Sequence, residues 1–197
     1  HDDRLRLVLN ASNGGFAAGN NMGLAAASGE YLVLLNNDTV VTDGWLLGLL
    51  RHLMDDPSLG LVGPVTNNIG NEAKVEVAYD SIDDMHWVAR AYTLSHMGRL
   101  REMRTVAFFC VAMSRRTYEV CGGLSTEYGL GFFEDDDYCR TAESQGLGVC
   151  CAEDVFVHHE LSASFSILVA DDRRELFARN KRIYEAKWGV WHPHQYR

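Results

Sequence analysis

The feature that most constrains the fold is an apolar run, Tyr31–Leu35, that ends abruptly in the polar residues Asn-Asn-Asp-Thr at 36–39. Five apolar residues without a polar face are typical of a strand covered on both sides, as in the parallel sheets of α/β proteins. The next segment, Trp45–Met54, carries leucines at helical spacing, and Leu59–Val62 has the pattern of another strand. This alternation predicts an α/β fold with a mainly parallel central sheet.

The remaining pattern divides among further helices and strands. Arg4–Leu9 alternates charged and apolar residues and predicts a strand, and Asn20 or Asn21 is expected to cap an Ala-rich helix after a loop rich in Gly and Asn. Further strands are predicted at Val106–Met113, Val149–Ala152 and Val155–Val157, and further helices at Ile82–Tyr92, Arg115–Cys121, Glu134–Gln145 and Leu168–Trp188. No repeat or linker interrupts the chain, so we expect one domain, residues 1–197.

Asp38 is the first candidate functional residue, because it follows a predicted strand of the sheet. Ligands of parallel α/β sheets bind at the carboxyl ends of strands. A carboxylate there can coordinate a hard cation such as Mg²⁺ or Mn²⁺. The alternative is a plain turn, which also favours Asn and Asp.

Four consecutive acids, Glu134–Asp137, form the second candidate. Acids in a first helical turn stabilise the helix dipole, but four in succession exceed that need and repel one another. Such crowding raises carboxyl pKa values, which suits a general base. His158 and His159 follow a predicted strand and could bind a metal, donate to a phosphate or be structural.

The order of these motifs resembles that of family 2 glycosyltransferases of the GT-A fold, especially bacterial non-processive members. Residues 13–23 are similar to the family's N-x-G-x-x-x-G-x-N-x-G loop, and residues 34–39 to its D-x-D motif with Asn in the first acidic position. Residues 133–138 are similar to its E-D-x-D segment, Val157-His158 to its late histidine, and Arg179-Asn180 to a pair in its last helix. The resemblance implies a three-layer α/β/α fold.

The resemblance also implies a role for each matching residue. Asp38 binds the divalent cation, Mg²⁺ or Mn²⁺, that bridges the donor diphosphate, and His158 completes the metal or diphosphate site. Asp135 deprotonates the acceptor hydroxyl, and Glu134 contacts the acceptor or the sugar. The residues expected on the nucleotide-sugar donor are Asn21, Asn36, Asn37, Asp38 and Arg179. The implied reaction is an inverting transfer to a glycan or another hydroxyl acceptor, in the synthesis of cell-surface polysaccharide.

Two departures from the family pattern carry expectations of their own. Asn36 replaces an acid, so cation affinity is expected to be weaker than in a D-x-D enzyme. The family begins with a strand, a helix and a second strand, whereas this chain opens in what resembles the third strand. We therefore expect an N-terminally truncated fold with an exposed sheet edge, weak donor binding, and a homodimer that covers the edge.

Composition narrows the remaining function classes. The net charge is −9 and no basic patch is evident, which argues against a nucleic-acid partner. Five cysteines without a C-x-x-C pair predict free thiols in a reducing compartment, so the cytoplasm is the expected location. No apolar run approaches the roughly 18 residues of a transmembrane helix.

Other functions of a related fold remain open at this point. A sugar nucleotidyltransferase shares the fold, although residues 134–137 and the late histidine favour a glycosyltransferase. A truncated, non-catalytic module that binds glycan or a partner chain is the other alternative. A processive synthase is disfavoured because Q-x-x-R-W is absent, and a dehydrogenase because G-x-G-x-x-G is absent.

Overall fold

The computed structural model describes residues 2–160 and 170–195. Its helices are α1 (Gly15–Ala26), α2 (Trp45–Asp55), α3 (Ile82–Ser95), α4 (Arg115–Cys121), α5 (Glu134–Ser144) and α6 (Ala170–Trp188). Its strands are β1 (Tyr31–Leu35), β2 (Thr39–Val41), β3 (Leu59–Val65), β4 (Leu100–Glu102), β5 (Cys110–Ser114) and β6 (Gly148–His159). A short 3-10 helix, Thr126–Tyr128, precedes α5.

The strands form one sheet in the order β1-β5-β3-β6-β2, and β4 also pairs with β6. β3 and β6 are parallel, whereas β5 is antiparallel to both β1 and β3. The strands β1, β3 and β6 therefore run in one direction, as the predicted α/β fold requires, and β5 is reversed between two of them. Because β2 and β4 are antiparallel to β6, the β3–β6 pair is the one parallel ladder among the described strands.

Both faces of the sheet are covered by helices. Neighbouring residues of a strand belong alternately to two core clusters, as Leu61 and Val62 do in β3. Helix α2 packs into one cluster through Leu49 and Leu53, whereas α1, α3 and α5 pack into the other. This arrangement confirms the predicted three layers, α/β/α.

The predicted strand Arg4–Leu9 is wrong. The segment has no strand partner among the described residues, and Leu5, Leu7 and Leu9 are 80%, 81% and 81% exposed. Alternation gives a segment two faces, but a strand forms only where a neighbouring strand accepts its backbone hydrogen bonds.

Smaller differences concern the ends of elements. Helix α1 begins at Gly15, so Asn20 and Asn21 lie inside it and neither caps it. The two strands predicted between positions 149 and 157 are one strand, β6, and β5 begins at Cys110 rather than at position 106. The predicted start of the last helix, Leu168, lies outside the described residues.

All five cysteines are free, as predicted. No helix within residues 2–160 or 170–195 has the length and apolar character of a membrane span.

Candidate active site

One edge of the sheet gathers the polar residues singled out in the sequence. The carboxyl ends of β1, β3 and β6 meet there, and β5 begins there because it runs the opposite way. Asn36, just after β1, donates its backbone N–H to the Phe109 carbonyl at 2.8 Å. The Phe109 ring stacks on His159 at the end of β6, with 4.8 Å between centroids. The ends of β1 and β6 are therefore fixed to each other through the start of β5.

Asp38 lies in the turn between β1 and β2, and β2 brings it to the end of β6. Thr39 stands opposite His159 in the ladder, and the Asp38 carbonyl accepts the Glu160 N–H at 3.0 Å. The Asp38 Oδ1 atom is buried, accepts no hydrogen bond, and lies 3.4 Å from His159 Nε2. A buried carboxylate oxygen without a donor is costly. This atom is therefore suited to a cation.

The tautomer of His159 follows from its other ring nitrogen. Nδ1 lies 3.1 Å from the Asn68 carbonyl, which can only accept, so Nδ1 carries the proton. In the neutral ring, Nε2 then presents a lone pair toward Asp38. Two electron-rich atoms in this position are stable together only with a cation or an added proton between them. A histidine whose Nδ1–H donates to a backbone carbonyl is a common form of metal ligand.

His158, which the resemblance places at the metal, has both ring nitrogens occupied elsewhere. Nδ1 lies 2.5 Å from the Tyr79 hydroxyl oxygen, and Nε2 lies 3.2 Å from Glu160 Oε1. Burial and the charge of Glu160 raise the pKa of Tyr79 to about 12, so its O–H stays available to donate to Nδ1. Successive strand residues point to opposite faces. The histidine that faces Asp38 is therefore His159 rather than His158, and a role of either side chain at a metal stays a prediction.

Asp38 and His159 fit a cation that is shared with a substrate. Within the described residues, no three His, Cys, Asp or Glu side chains converge into a complete metal site. Mg²⁺ in enzymes is commonly held by one or two carboxylates together with substrate phosphates. Asp38 supplies one carboxylate of that kind, and the His159 imidazole beside it adds a nitrogen ligand.

The three asparagines expected on the donor differ in availability. Asn21 Oδ1 accepts the Leu124 N–H and its Nδ2 donates to the Leu124 carbonyl, both at 2.8 Å. Asn21 therefore fastens α1 to the segment after α4, and its expected role on the donor stays a prediction. The Asn36 carbonyl accepts the Thr39 hydroxyl at 2.8 Å and closes the turn, while Asn37 is exposed. The side chains of Asn36 and Asn37 remain candidates beside Asp38.

Helix α5 starts from a backbone conformation that residues other than glycine rarely adopt. Phe132 and Phe133 have φ angles of 72° and 76°. Asn180, fully buried at 0% exposure, holds this loop: its Nδ2 donates to the carbonyls of Tyr128 at 2.7 Å, Gly131 at 2.7 Å and Phe132 at 3.3 Å. Asn180 thereby fixes the direction in which α5 presents its acidic first turn. In the sequence, Asn180 stands out only as part of the Arg179-Asn180 pair. Its hydrogen-bond partners are backbone carbonyls of residues that lie much earlier in the chain, so no local pattern reveals them.

Arg179, expected on the donor diphosphate, takes part in the same region. It donates to the Glu127 carbonyl at 3.0 Å and to Asn180 Oδ1 at 2.8 Å. It is exposed and contacts the 3-10 helix. Its described contacts hold the loop before α5, and a role on the donor stays a prediction.

We expect an Asn180→Ala variant to lose about 3 kcal/mol of unfolding free energy, because it leaves buried carbonyls without a donor and opens a small cavity. Chemical denaturation followed by circular dichroism measures the loss. Arg179→Ala is the matched control and should cost less than about 1 kcal/mol, since Arg179 is exposed. Equal losses for the two variants would contradict the anchoring role of Asn180.

Asp137 is held between α5 and α6. Its Oδ1 accepts the Trp188 indole N–H at 2.7 Å and lies 2.8 Å from Lys187 Nζ. Its carboxylate is nearly buried, with 4% of the side chain exposed. Asp137 is therefore neutralised by partners of its own and acts as a link between helices.

Asp136 connects the first turn of α5 to the sheet. Its Oδ1 accepts the Thr105 hydroxyl at 3.0 Å and lies 3.3 Å from His194 Nε2. This bond fastens the acidic turn to the segment that leads into β5. The contact with His194 has no signal in the sequence, since that residue lies far beyond the acidic run.

Glu134 and Asp135 are the two acids of the run without a cationic partner in direct contact. Glu134 Oε2 is buried and accepts no hydrogen bond, and Asp135 Oδ1 accepts the Asp136 N–H at 2.9 Å. Burial and the charge of Asp135 raise the pKa of Glu134, and burial and the charge of Asp136 raise that of Asp135. A carboxylate with a raised pKa is a stronger base once it is ionised.

A cavity of about 820 Å³ lies elsewhere, between α2 and α3. Its walls include Trp45, Leu47, Trp87 and Met97, and none of the candidate site residues lines it. The candidate site is therefore defined by its polar groups at the strand ends and at the start of α5.

The fold is that of nucleotide-sugar transferases of the GT-A type. The chain is similar to the crystal structure of GalNAc-T7 with UDP, GalNAc and Mn²⁺, with a TM-score of 0.62, 13% identity, and coverage of 91% of this chain and 37% of that one. It is also similar to the mannosyltransferase PcManGT from Pyrobaculum calidifontis in complex with GDP-Man and Mn²⁺, with a TM-score of 0.52, 21% identity, and coverage of 80% and 39%.

The chain belongs to glycosyl transferase family 2, whose profile matches residues 1–122. The uncharacterized protein y4gI of Sinorhizobium fredii (strain NBRC 101917 / NGR234) is 24% identical over an alignment of 197 positions, which covers 95% of this chain and 21% of that protein. The chain thus spans about a fifth of this relative and less than two fifths of the two solved structures.

Proposed function

We propose that the domain transfers a sugar from a nucleoside-diphospho-sugar to a hydroxyl group of a glycan or other acceptor, with inversion at the anomeric carbon. The observation that carries the proposal is the pair Asp38 Oδ1 and His159 Nε2, which lie 3.4 Å apart, with the Asp38 oxygen buried and accepting no hydrogen bond. Glu134 and Asp135 begin helix α5, which the Thr105 bond to Asp136 fastens to the segment leading into β5. A cation site and a carboxylate base are the two groups that this displacement needs.

Asp38 and His159 would hold the divalent cation together with the donor diphosphate. When bound, the cation offsets the negative charge that builds on the departing nucleoside diphosphate. We favour Mn²⁺ over Mg²⁺ because Mg²⁺ prefers oxygen ligands and one ligand here is an imidazole. The Mn²⁺ bound in the two similar structures supports this choice. Asn36 adds no charge, so the affinity is expected to be modest.

Asp135 accepts the proton of the acceptor hydroxyl as the new bond to the anomeric carbon forms, and Glu134 contacts the acceptor or the transferred sugar. Asp136 and Asp137 are less suited to this step because they already have partners. A single displacement needs no second nucleophilic carboxylate. The donor contacts that remain in the proposal are Asn36, Asn37 and Arg179.

The test is release of nucleoside diphosphate from a panel of UDP- and GDP-sugars, with Mn²⁺ and a set of glycan acceptors. Donor concentrations of about 1 mM allow for the weak binding that we expect. Turnover that Asp135→Asn abolishes supports the proposal. Glycan binding without turnover of any donor would instead support a non-catalytic module, and synthesis of a nucleotide sugar from a triphosphate would support a nucleotidyltransferase.

We also propose that this chain forms a homodimer through β1. Among the described strands β1 pairs with β5 alone, and a groove of about 320 Å³ lined by Gly19, Gly23 and Gly29 runs beside it. Unpaired N–H and C=O groups on such an edge recruit another strand. Light scattering at micromolar concentration should give twice the chain mass, and Leu35→Lys should shift it toward the monomer. A monomeric wild-type chain would contradict this.

The proposed setting is cytoplasmic synthesis of cell-surface polysaccharide. The five free cysteines support a reducing compartment. Recovery of the native protein with its thiols oxidised to disulfides would count against that location.

A further inference from the structure

A short segment after α6 folds back over the acidic turn of α5. In this return segment, residues 191–195, the Trp191 ring packs on Phe133 with 5.3 Å between centroids and on His194 with 5.8 Å. The Gln195 N–H donates to Glu72 Oε1 at 3.4 Å. The segment therefore contacts the residue that opens α5 and the loop that follows β3.

The return segment delivers His194 to Asp136. His194 Nε2 lies 3.3 Å from Asp136 Oδ1, and only 21% and 10% of the two side chains are exposed. The Asp136 N–H in turn donates to Asp135 Oδ1 at 2.9 Å. His194 is thus one residue removed from the proposed base, on the far side of Asp136.

We propose that His194 is a positioning residue for Asp135, because its ring pairs with Asp136 and offsets the negative charge that stands beside the base. The proposal rests on the proposed function, in which Asp135 accepts a proton. The charge of Asp136 next to Asp135 opposes a second charge there. A cation paired with Asp136 offsets that repulsion.

The groups that face His194 keep it charged. Asp136 and Asp135 face it from α5 and Glu72 faces it from the loop after β3, whereas His192 in its own segment is exposed. Burial lowers the pKa of His194, but the hydrogen bond and charge of Asp136, with the charges of Asp135 and Glu72, outweigh burial and raise it. The imidazolium therefore persists to a higher pH than that of an ordinary histidine.

The first test measures the Asp135 carboxyl directly, by ¹³C NMR titration of aspartate-labelled protein, with Asp135→Asn to assign the signal. His194→Ala should raise the pKa of Asp135 by about one unit, because the offsetting charge is lost. His192→Ala, which removes an exposed histidine two positions away, should leave it unchanged. An unchanged or lowered pKa of Asp135 in His194→Ala overturns the proposal.

A second variant separates charge from hydrogen bonding. His194→Gln keeps a donor without the charge and should raise the pKa of Asp135 as far as His194→Ala does. A wild-type value in His194→Gln overturns the proposal, because the hydrogen bond alone would then suffice. If His194→Ala does not fold, ring titration of the wild-type protein is decisive: the pKa of His194 should fall in Asp136→Asn, because the carboxylate beside the ring is lost. An unchanged pKa of His194 in Asp136→Asn overturns the proposal.

Kinetics then connects the ion pair to the reaction. The acid limb of kcat/KM should move to higher pH by the same amount in His194→Ala and stay in place in His192→Ala. An acid limb that does not follow the Asp135 pKa overturns the role of His194 in the reaction. If no nucleotide sugar is turned over by any form of the protein, the proposed function fails, whereas the carboxyl titration still decides whether His194 controls Asp135.

Discussion

An Asp135→Asn variant is expected to lose about 10²- to 10⁴-fold in kcat, the range that a positioned general base contributes. Asparagine keeps the shape of the side chain and can still accept the Asp136 N–H that Asp135 Oδ1 accepts. The fold and the donor KM should therefore change little. Steady-state release of nucleoside diphosphate measures the loss, and the melting temperature verifies that the variant is folded.

Asp137→Asn is the matched control, because it makes the same chemical change two residues further along α5. Residues two apart on a helix face in different directions. Asp137 holds Lys187 and Trp188, so this variant should lose about 1–2 kcal/mol of unfolding free energy and keep most of its kcat. Equal losses of kcat in the two variants would rule out Asp135 as the specific base.

The pH dependence of the wild type follows from the same burial. Burial and the charge of Asp136 raise the pKa of Asp135, and the base acts only when ionised. The value of kcat/KM should therefore fall as pH drops through the pKa of Asp135. That pKa lies above about 4, the value at which an ordinary aspartate titrates. The sign for stability is the opposite: the folded state binds this proton more tightly, so the contribution of Asp135 to unfolding free energy decreases as pH rises through the same range.

The sequence predicted helices better than strands for a physical reason. Helix α2 was expected at Trp45–Met54 and lies at Trp45–Asp55, because a helix satisfies its backbone within itself and shows its buried face in the local pattern. Arg4–Leu9 has an equally regular pattern and forms no strand, since its hydrogen bonds depend on a partner elsewhere. The three-residue strands β2 and β4 are too short to show any period.

The acidic residues of the candidate site could be predicted from the sequence, whereas the groups that orient them could not. Asp38 and the acidic run follow recognisable elements, so motif order locates them. His158 and His159 are neighbours, and only the β2–β6 register and the bond from His159 Nδ1 to the Asn68 carbonyl distinguish their roles. Asn180 likewise acts on backbone atoms that no local pattern reveals.

The second large effect is expected at Asp38. Asp38→Asn removes the only carboxylate that we propose for the cation and should lower kcat/KM at fixed Mn²⁺ by about 10²-fold or more, since the cation contributes several kcal/mol to stabilising the leaving group. Part of the lost kcat/KM should be recovered at high Mn²⁺ concentration, because the variant has a reduced affinity for Mn²⁺ as well as a reduced rate. Calorimetric titration of Mn²⁺ in the presence of a nucleoside diphosphate measures that affinity without turnover.

The pair His159→Gln and His158→Gln decides which histidine shares the cation with Asp38. His159→Gln should weaken Mn²⁺ binding, as Asp38→Asn does. His158→Gln should leave Mn²⁺ binding nearly unchanged, because both nitrogens of His158 bond elsewhere. Asp38 and His159 act on one ion, so the double variant should lose less than the sum of the single losses. Additive losses would mean that the two side chains, despite their 3.4 Å separation, do not act on the same cation.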